Sequence, residues 1–68
     1  MSFYKHMKYS DGSGDLKMGP FSSRKDAVDS VLNSIVSQQR ITNRTFMEHG
    51  ESVWTATDGS VEIWIEEH

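Results

Sequence analysis

One segment of this chain repeats its apolar side chains with the period of a helix. Val28, Val31, Leu32 and Ile35 fall at i, i+3, i+4 and i+7, flanked by Ala27 and Val36. A lone amphipathic helix has nothing of its own kind to bury its stripe against, so the flanking segments must supply a sheet for it to lie on. The stripe predicts a helix over about residues 23–39. Ser22 or Ser23 stands ready as N-cap, with Asp26 at capping-box spacing from Ser23. Asp26 and Asp29 suit the positive end of the helix dipole, and Arg40 the negative end.

The flanking segments read as strands. Residues 2–10 carry Phe3, Tyr4, Met7 and Tyr9 in rough alternation. The turn cluster Asp11-Gly12-Ser13-Gly14-Asp15 follows, then Leu16-Lys17-Met18 as a short return strand. Gly19-Pro20 is expected to stop that strand, because proline cannot donate to a ladder. Beyond a loop at Thr42-Asn43 come three more strands, at about 44–48, 51–57 and 61–66. Thr57-Asp58-Gly59-Ser60 is the strongest hairpin signal, since Asp-Gly suits the positive φ values of a type I′ turn; His49-Gly50 is a weaker one. The predicted fold is α+β: one domain over residues 1–68, ββαβββ, a single helix packed on a five-stranded, mainly antiparallel sheet. The order 2-1-5-4-3 makes every neighbouring pair antiparallel and lets the helix cover one face.

The step Gly19-Pro20-Phe21-Ser22-Ser23-Arg24 into a helix containing Ala27 is similar to the strand-to-helix step of SPOR-type peptidoglycan-binding repeats. It spans about ten residues. That family carries a second helix which this chain lacks, so what is shared is a strand exit and a capped helix start.

Two-residue loops at Asp58-Gly59 and His49-Gly50 would set which side chains share a face. The first pairs Ala56 with Val61, Thr55 with Glu62, Trp54 with Ile63 and Val53 with Trp64; the second pairs Glu48 with Glu51, Met47 with Ser52 and Phe46 with Val53. Met47, Trp54, Ala56, Val61, Ile63 and Ile65 then face the helix. Phe46, Val53 and Trp64 form an apolar row on the other face, bordered by Glu48, Glu51, Glu62 and Glu66. A one-residue slip at the weaker His49-Gly50 turn would move Phe46 into the core, whereas Trp64 depends only on the Asp-Gly hairpin.

Composition narrows the function classes. A chain this short buries only about 60% of the surface its unfolded form exposes, and small scaffolds commonly add disulfides, a metal or a second subunit. There are no cysteines, which removes disulfides and thiolate metal sites. His6, His49 and His68 lie far apart without metal-ligand spacing, so no metal or other cofactor is expected, and a homodimer becomes a reasonable expectation. The first residues lack a signal-peptide core and no apolar run is long enough to span a bilayer, so the chain reads as cytoplasmic, in a bacterium or an infected host cell, with no membrane association. The net charge of −3 is unevenly spread: all seven Lys and Arg lie in the first 44 positions, and residues 45–68 hold six acids.

No catalytic constellation is visible. His6 and His49 lack an evident acid or nucleophile partner, and Gly12-Ser13-Gly14 is too short to cradle a phosphate. The expected function is therefore non-enzymatic protein binding through Phe46, Glu48, Glu51, Val53, Glu62, Trp64 and Glu66. A basic nucleic-acid-binding protein is the expected partner, engaged in the manner of a small phage inhibitor or DNA mimic. The alternative is direct nucleic-acid binding by the basic N-terminal hairpin, with Lys5, Lys8 and Lys17 beside Tyr4 and Tyr9; the acidic balance disfavours it.

Overall fold

The computed structural model describes residues 1–50 and 52–68. Six elements run along the chain: β1 (Phe3–Tyr9), β2 (Asp15–Phe21), α1 (Arg24–Thr42), β3 (Phe46–His49), β4 (Val53–Ala56) and β5 (Val61–Glu67). The strands form one antiparallel sheet in the order β2-β1-β5-β4-β3, with α1 against one face. This is the expected ββαβββ architecture and strand order. Among the described residues no helix is long and apolar enough to cross a membrane.

Ser23 caps α1, its side chain accepting from the Asp26 backbone N–H at 3.1 Å. The expected reciprocal contact from Asp26 is replaced by one outside the helix, where the Ser22 hydroxyl donates to the Asp26 carboxylate. The helix outruns its predicted end and absorbs Thr42, whose hydroxyl donates to the Gln38 carbonyl at 2.7 Å. Asn43 then stops it in the left-handed conformation at φ 62°.

The face α1 buries is rolled relative to the predicted stripe. Ala27, Val31 and Ile35 are buried, Val28 is half-buried, and Leu32 is 46% exposed. Lys5 supplies a reason for the roll. It points to the helix side of β1 and is only 4% exposed, and its Nζ donates to Ser34 Oγ at 2.8 Å. A buried ammonium must find an acceptor, so the Ser34 side of the helix turns toward the sheet and Leu32 turns away.

Among the described residues no carboxylate forms an ion pair with Lys5, and burial holds its pKa below the ordinary value of 10.5. Methionine would fill much the same space without the charge, and Ser34 would keep its own bond to the Ser30 carbonyl. Lys5→Met is therefore expected to raise unfolding free energy at neutral pH by about 1 kcal/mol. Folded Lys5 releases its proton more readily than the unfolded chain does, so wild type gains on the variant as pH rises toward 10.5. Urea titrations of both chains from neutral to alkaline pH check this; a constant difference would contradict it.

Two expectations about the strands are corrected. Gly19-Pro20 does not end β2, which runs on to Phe21. Lys5 pairs with Met18 but Phe3 with Phe21, so β2 carries one extra residue opposite Tyr4, and as an edge strand it can spare the missing proline donor.

The second correction concerns β3. The β4–β5 register is the predicted one, Val53 opposite Trp64, Trp54 opposite Ile63 and Thr55 opposite Glu62. Its turn is not type I′, since Gly59 (φ 76°) takes the left-handed conformation but Asp58 does not, and Asp58 instead accepts from the Ser60 backbone N–H. In the β3–β4 hairpin, Phe46 pairs with Ala56, Met47 with Thr55, Glu48 with Trp54 and His49 with Val53. The connection there is three residues long, and the pairing is offset by an odd number from the expected one. An odd offset exchanges the faces, so Phe46 joins the core and Met47 leaves it. Cross-strand bonds hold this register: Thr57 N–H to the Thr45 carbonyl at 2.9 Å, and Thr45 Oγ1 with Thr57 Oγ1 at 2.7 Å. The core under α1 comprises Met7, Val31, Ile35, Trp54, Ala56, Val61 and Ile63, with Phe46, Tyr9, Val28 and Ile65 packed around it.

Candidate functional site on the open sheet face

With α1 on one face, the opposite face of the sheet has no second layer among the described residues. Register places the side chains on it in rows. The central row crosses all five strands: Lys17, His6, Trp64, Val53, His49. Beside it runs Asp15, Lys8, Glu62, Thr55, Met47, and on the other side Tyr4 stands opposite Glu66.

The centre of this face is a connected polar and aromatic cluster. The His6 ring stacks on Trp64 with centroids 5.2 Å apart and planes 8° from parallel. The Trp64 indole N–H donates to Glu66 Oε1 at 3.0 Å. The other carboxylate oxygen, Oε2, lies 3.2 Å from His6 Nε2 and 3.0 Å from His68 Nε2. Tyr4 meets the His68 ring edge-on at 5.4 Å, and Lys17 Nζ sits 4.5 Å above the Tyr4 ring centroid. The Trp64 indole donor, then the bond to His68, hold the Glu66 carboxyl below its ordinary pKa. At the far end of the row, His49 Nε2 and Thr55 Oγ1 share a hydrogen bond of 2.7 Å.

Backbone pairing explains why these groups meet. The β1–β5 register sets His6 opposite Trp64 and Tyr4 opposite Glu66, so His6 lies diagonally across from Glu66, within reach of long side chains. His68 follows Glu66 two residues on, at the next position of the same face, just past the end of β5. Two backbone bonds of 2.8 Å, Ser2 N–H to the His68 carbonyl and His68 N–H to the Ser2 carbonyl, extend the ladder to that residue.

Of the seven residues expected to bind a partner, Val53, Glu62, Trp64 and Glu66 share this face. Phe46 and Glu48 are on the helix side, moved there by the odd offset of β3, and Glu51 lies outside the described residues. The expectation that the histidines stay apart is also corrected, because the fold brings His6 and His68 to one carboxylate. Sequence reasoning missed Tyr4, His6, Lys17, Met47, His49 and His68 as members of this face. Alternation along residues 2–10 already put Tyr4, His6 and Lys8 on the side opposite Met7, which was the available signal.

The charge segregation seen along the sequence does not survive folding as two separate patches. Lys8 stands opposite Glu62, and Glu66 sits among His6 and His68. No family model matches the chain, and no curated protein or solved structure matches it.

Proposed function

We propose that this chain is a non-enzymatic binding module that engages a partner protein through the open face of its sheet, centred on Trp64. The observation that carries the reading is the row Lys17-His6-Trp64-Val53-His49 on a face without a covering layer among the described residues. An indole held upright by a stacked imidazole and a carboxylate is already ordered, so burying it against a partner loses little side-chain entropy. Tryptophan at the centre of a patch with a polar surround is the arrangement of an interface hot spot.

The same geometry favours a mixed-charge partner over a purely basic one. Carboxylates that stand for successive phosphates need an uninterrupted acidic ribbon, whereas Asp15, Lys8 and Glu62 alternate in sign across neighbouring strands. Direct binding of single-stranded nucleic acid is disfavoured too, because one face of Trp64 is taken by His6 and one face of Tyr4 by Lys17.

Affinity capture with wild type, Trp64→Ala, Val53→Lys and Leu32→Ala tests the proposal, with circular dichroism confirming that each variant folds. A partner held by wild type and Leu32→Ala is expected to be lost from both open-face variants. Equal capture by all four would refute it. Sedimentation identifies the case in which the partner is a second copy: the heavier species then disappears in Trp64→Ala.

A further inference from the structure

We infer that His6, Glu66 and His68 form a binding site for one divalent transition-metal ion of the zinc class. Glu66 Oε2 lies 3.2 Å from His6 Nε2 and 3.0 Å from His68 Nε2, and all three ligand atoms lie within 4.8 Å of one another. A tetrahedral ion with ligand bonds of about 2.0–2.1 Å spaces its ligand atoms about 3.3 Å apart. Two of the three spacings are thus already those of a coordinated ion, and a small swing of the exposed His68 ring closes the third. Two imidazoles and one carboxylate are a recurrent three-ligand set for zinc, leaving the fourth position to water or a partner group.

Three further features fit a site rather than a chance meeting of surface groups. His6 Nε2 is shielded from solvent yet makes no hydrogen bond, despite its closeness to Glu66 Oε2. Its neighbour Glu66 Oε2 lies outside hydrogen-bonding geometry, and a cation coordinated by both atoms would satisfy the nitrogen and the carboxylate together. The carboxylate is oriented from behind: the Trp64 indole holds Oε1, so Oε2 is the oxygen presented to both imidazoles. The ligands are also anchored, His6 by its stack on Trp64 and the His68 backbone by its two bonds to Ser2. The site shares His6, Trp64 and Glu66 with the proposed binding face but needs no partner to form, so zinc binding and partner binding are tested separately.

The test is calorimetric titration of the tag-free chain with zinc chloride, alongside NMR of the histidine side chains. One saturable equivalent is expected, moving the His6 and His68 imidazole resonances while those of His49 stay in place. Zinc at 100 times its dissociation constant should raise the thermal midpoint by about 10 °C or more. Three variants remove one ligand each: His68→Ala, Glu66→Gln, which keeps an acceptor for the indole, and His6→Phe, which keeps the stack on Trp64. Each should weaken binding at least tenfold. Trp64→Phe retains the ring but loses the donor to Glu66, and should weaken binding about tenfold. The assignment fails if any of the three ligand variants binds zinc as tightly as wild type, or if all three histidines shift together without saturation.

Discussion

Ile63→Ala is expected to remove a large fraction of the chain's unfolding free energy at 25 °C and to shift its urea midpoint far below that of wild type. Ile63 is fully buried, flanked across the sheet by Met7 and Trp54 and roofed by Val31 and Ile35 of the helix. Removing its outer carbons forfeits transfer free energy and leaves a cavity that a sheet pinned on both sides cannot close, a loss of about 3–4 kcal/mol. A domain of this length has only about 3–10 kcal/mol of total stability, so the substitution takes a large fraction of it. Urea denaturation followed by far-ultraviolet circular dichroism checks this. A midpoint within experimental error of wild type would mean that Ile63 is not at the centre of the core.

The second large effect is expected at Gly19. Its φ of 142° lies where side chains are rarely found. A Cβ there would come within 2.8 Å of the Tyr4 ring and 2.9 Å of the Phe3 carbonyl oxygen. The ring can swing aside, but the carbonyl belongs to the β1 ladder and cannot. Gly19→Ala should therefore lower stability by about 2–3 kcal/mol. It should also disturb the open face, because Tyr4 is the ring on which Lys17 and His68 rest. Gly12→Ala is the matching control: its φ is also positive, at 77°, but nothing lies within 4 Å of the added carbon, so it carries backbone strain without the clash. Equal destabilisation by the two substitutions would show that contact with Tyr4 and Phe3 contributes nothing.

These results follow from features of unequal visibility in the sequence. The helix was legible because its period is local, and its N-cap because Ser23 stands three residues before Asp26 at capping-box spacing. Its roll was not, since that depends on Lys5 meeting Ser34 from a distant strand. The strand order of the structure is compatible with chain connectivity and all-antiparallel pairing, but those conditions did not select it from the sequence. The β4–β5 register was legible even though the turn type was not, because Asp58-Gly59 sits between strands of matched alternation. The β3–β4 register depended on whether the His49-Gly50 turn had two residues or three, a difference a weak turn motif does not encode but one that reverses every side chain of β3.

The candidate site divides along the same line. Val53, Glu62, Trp64 and Glu66 were within reach because one hairpin fixes their common face. Tyr4, His6 and His68 were not, because β1 and β5 join the two ends of the described chain and no turn sets their register. The acidic C-terminal third and the basic N-terminal half read as separate surfaces in sequence, and that pairing interleaves them.

Two surfaces compete as the binding site: the half-buried Trp64 and Val53 of the open sheet face, and the exposed Leu32 and Val36 on the outer side of the helix. Site-specific photo-cross-linking in cells, from a photoreactive side chain at Val53 or at Leu32, distinguishes them most directly. The proposed function predicts a discrete cross-linked species from Val53 and none from Leu32. Cross-linking from Leu32 alone, or from neither position, would contradict it.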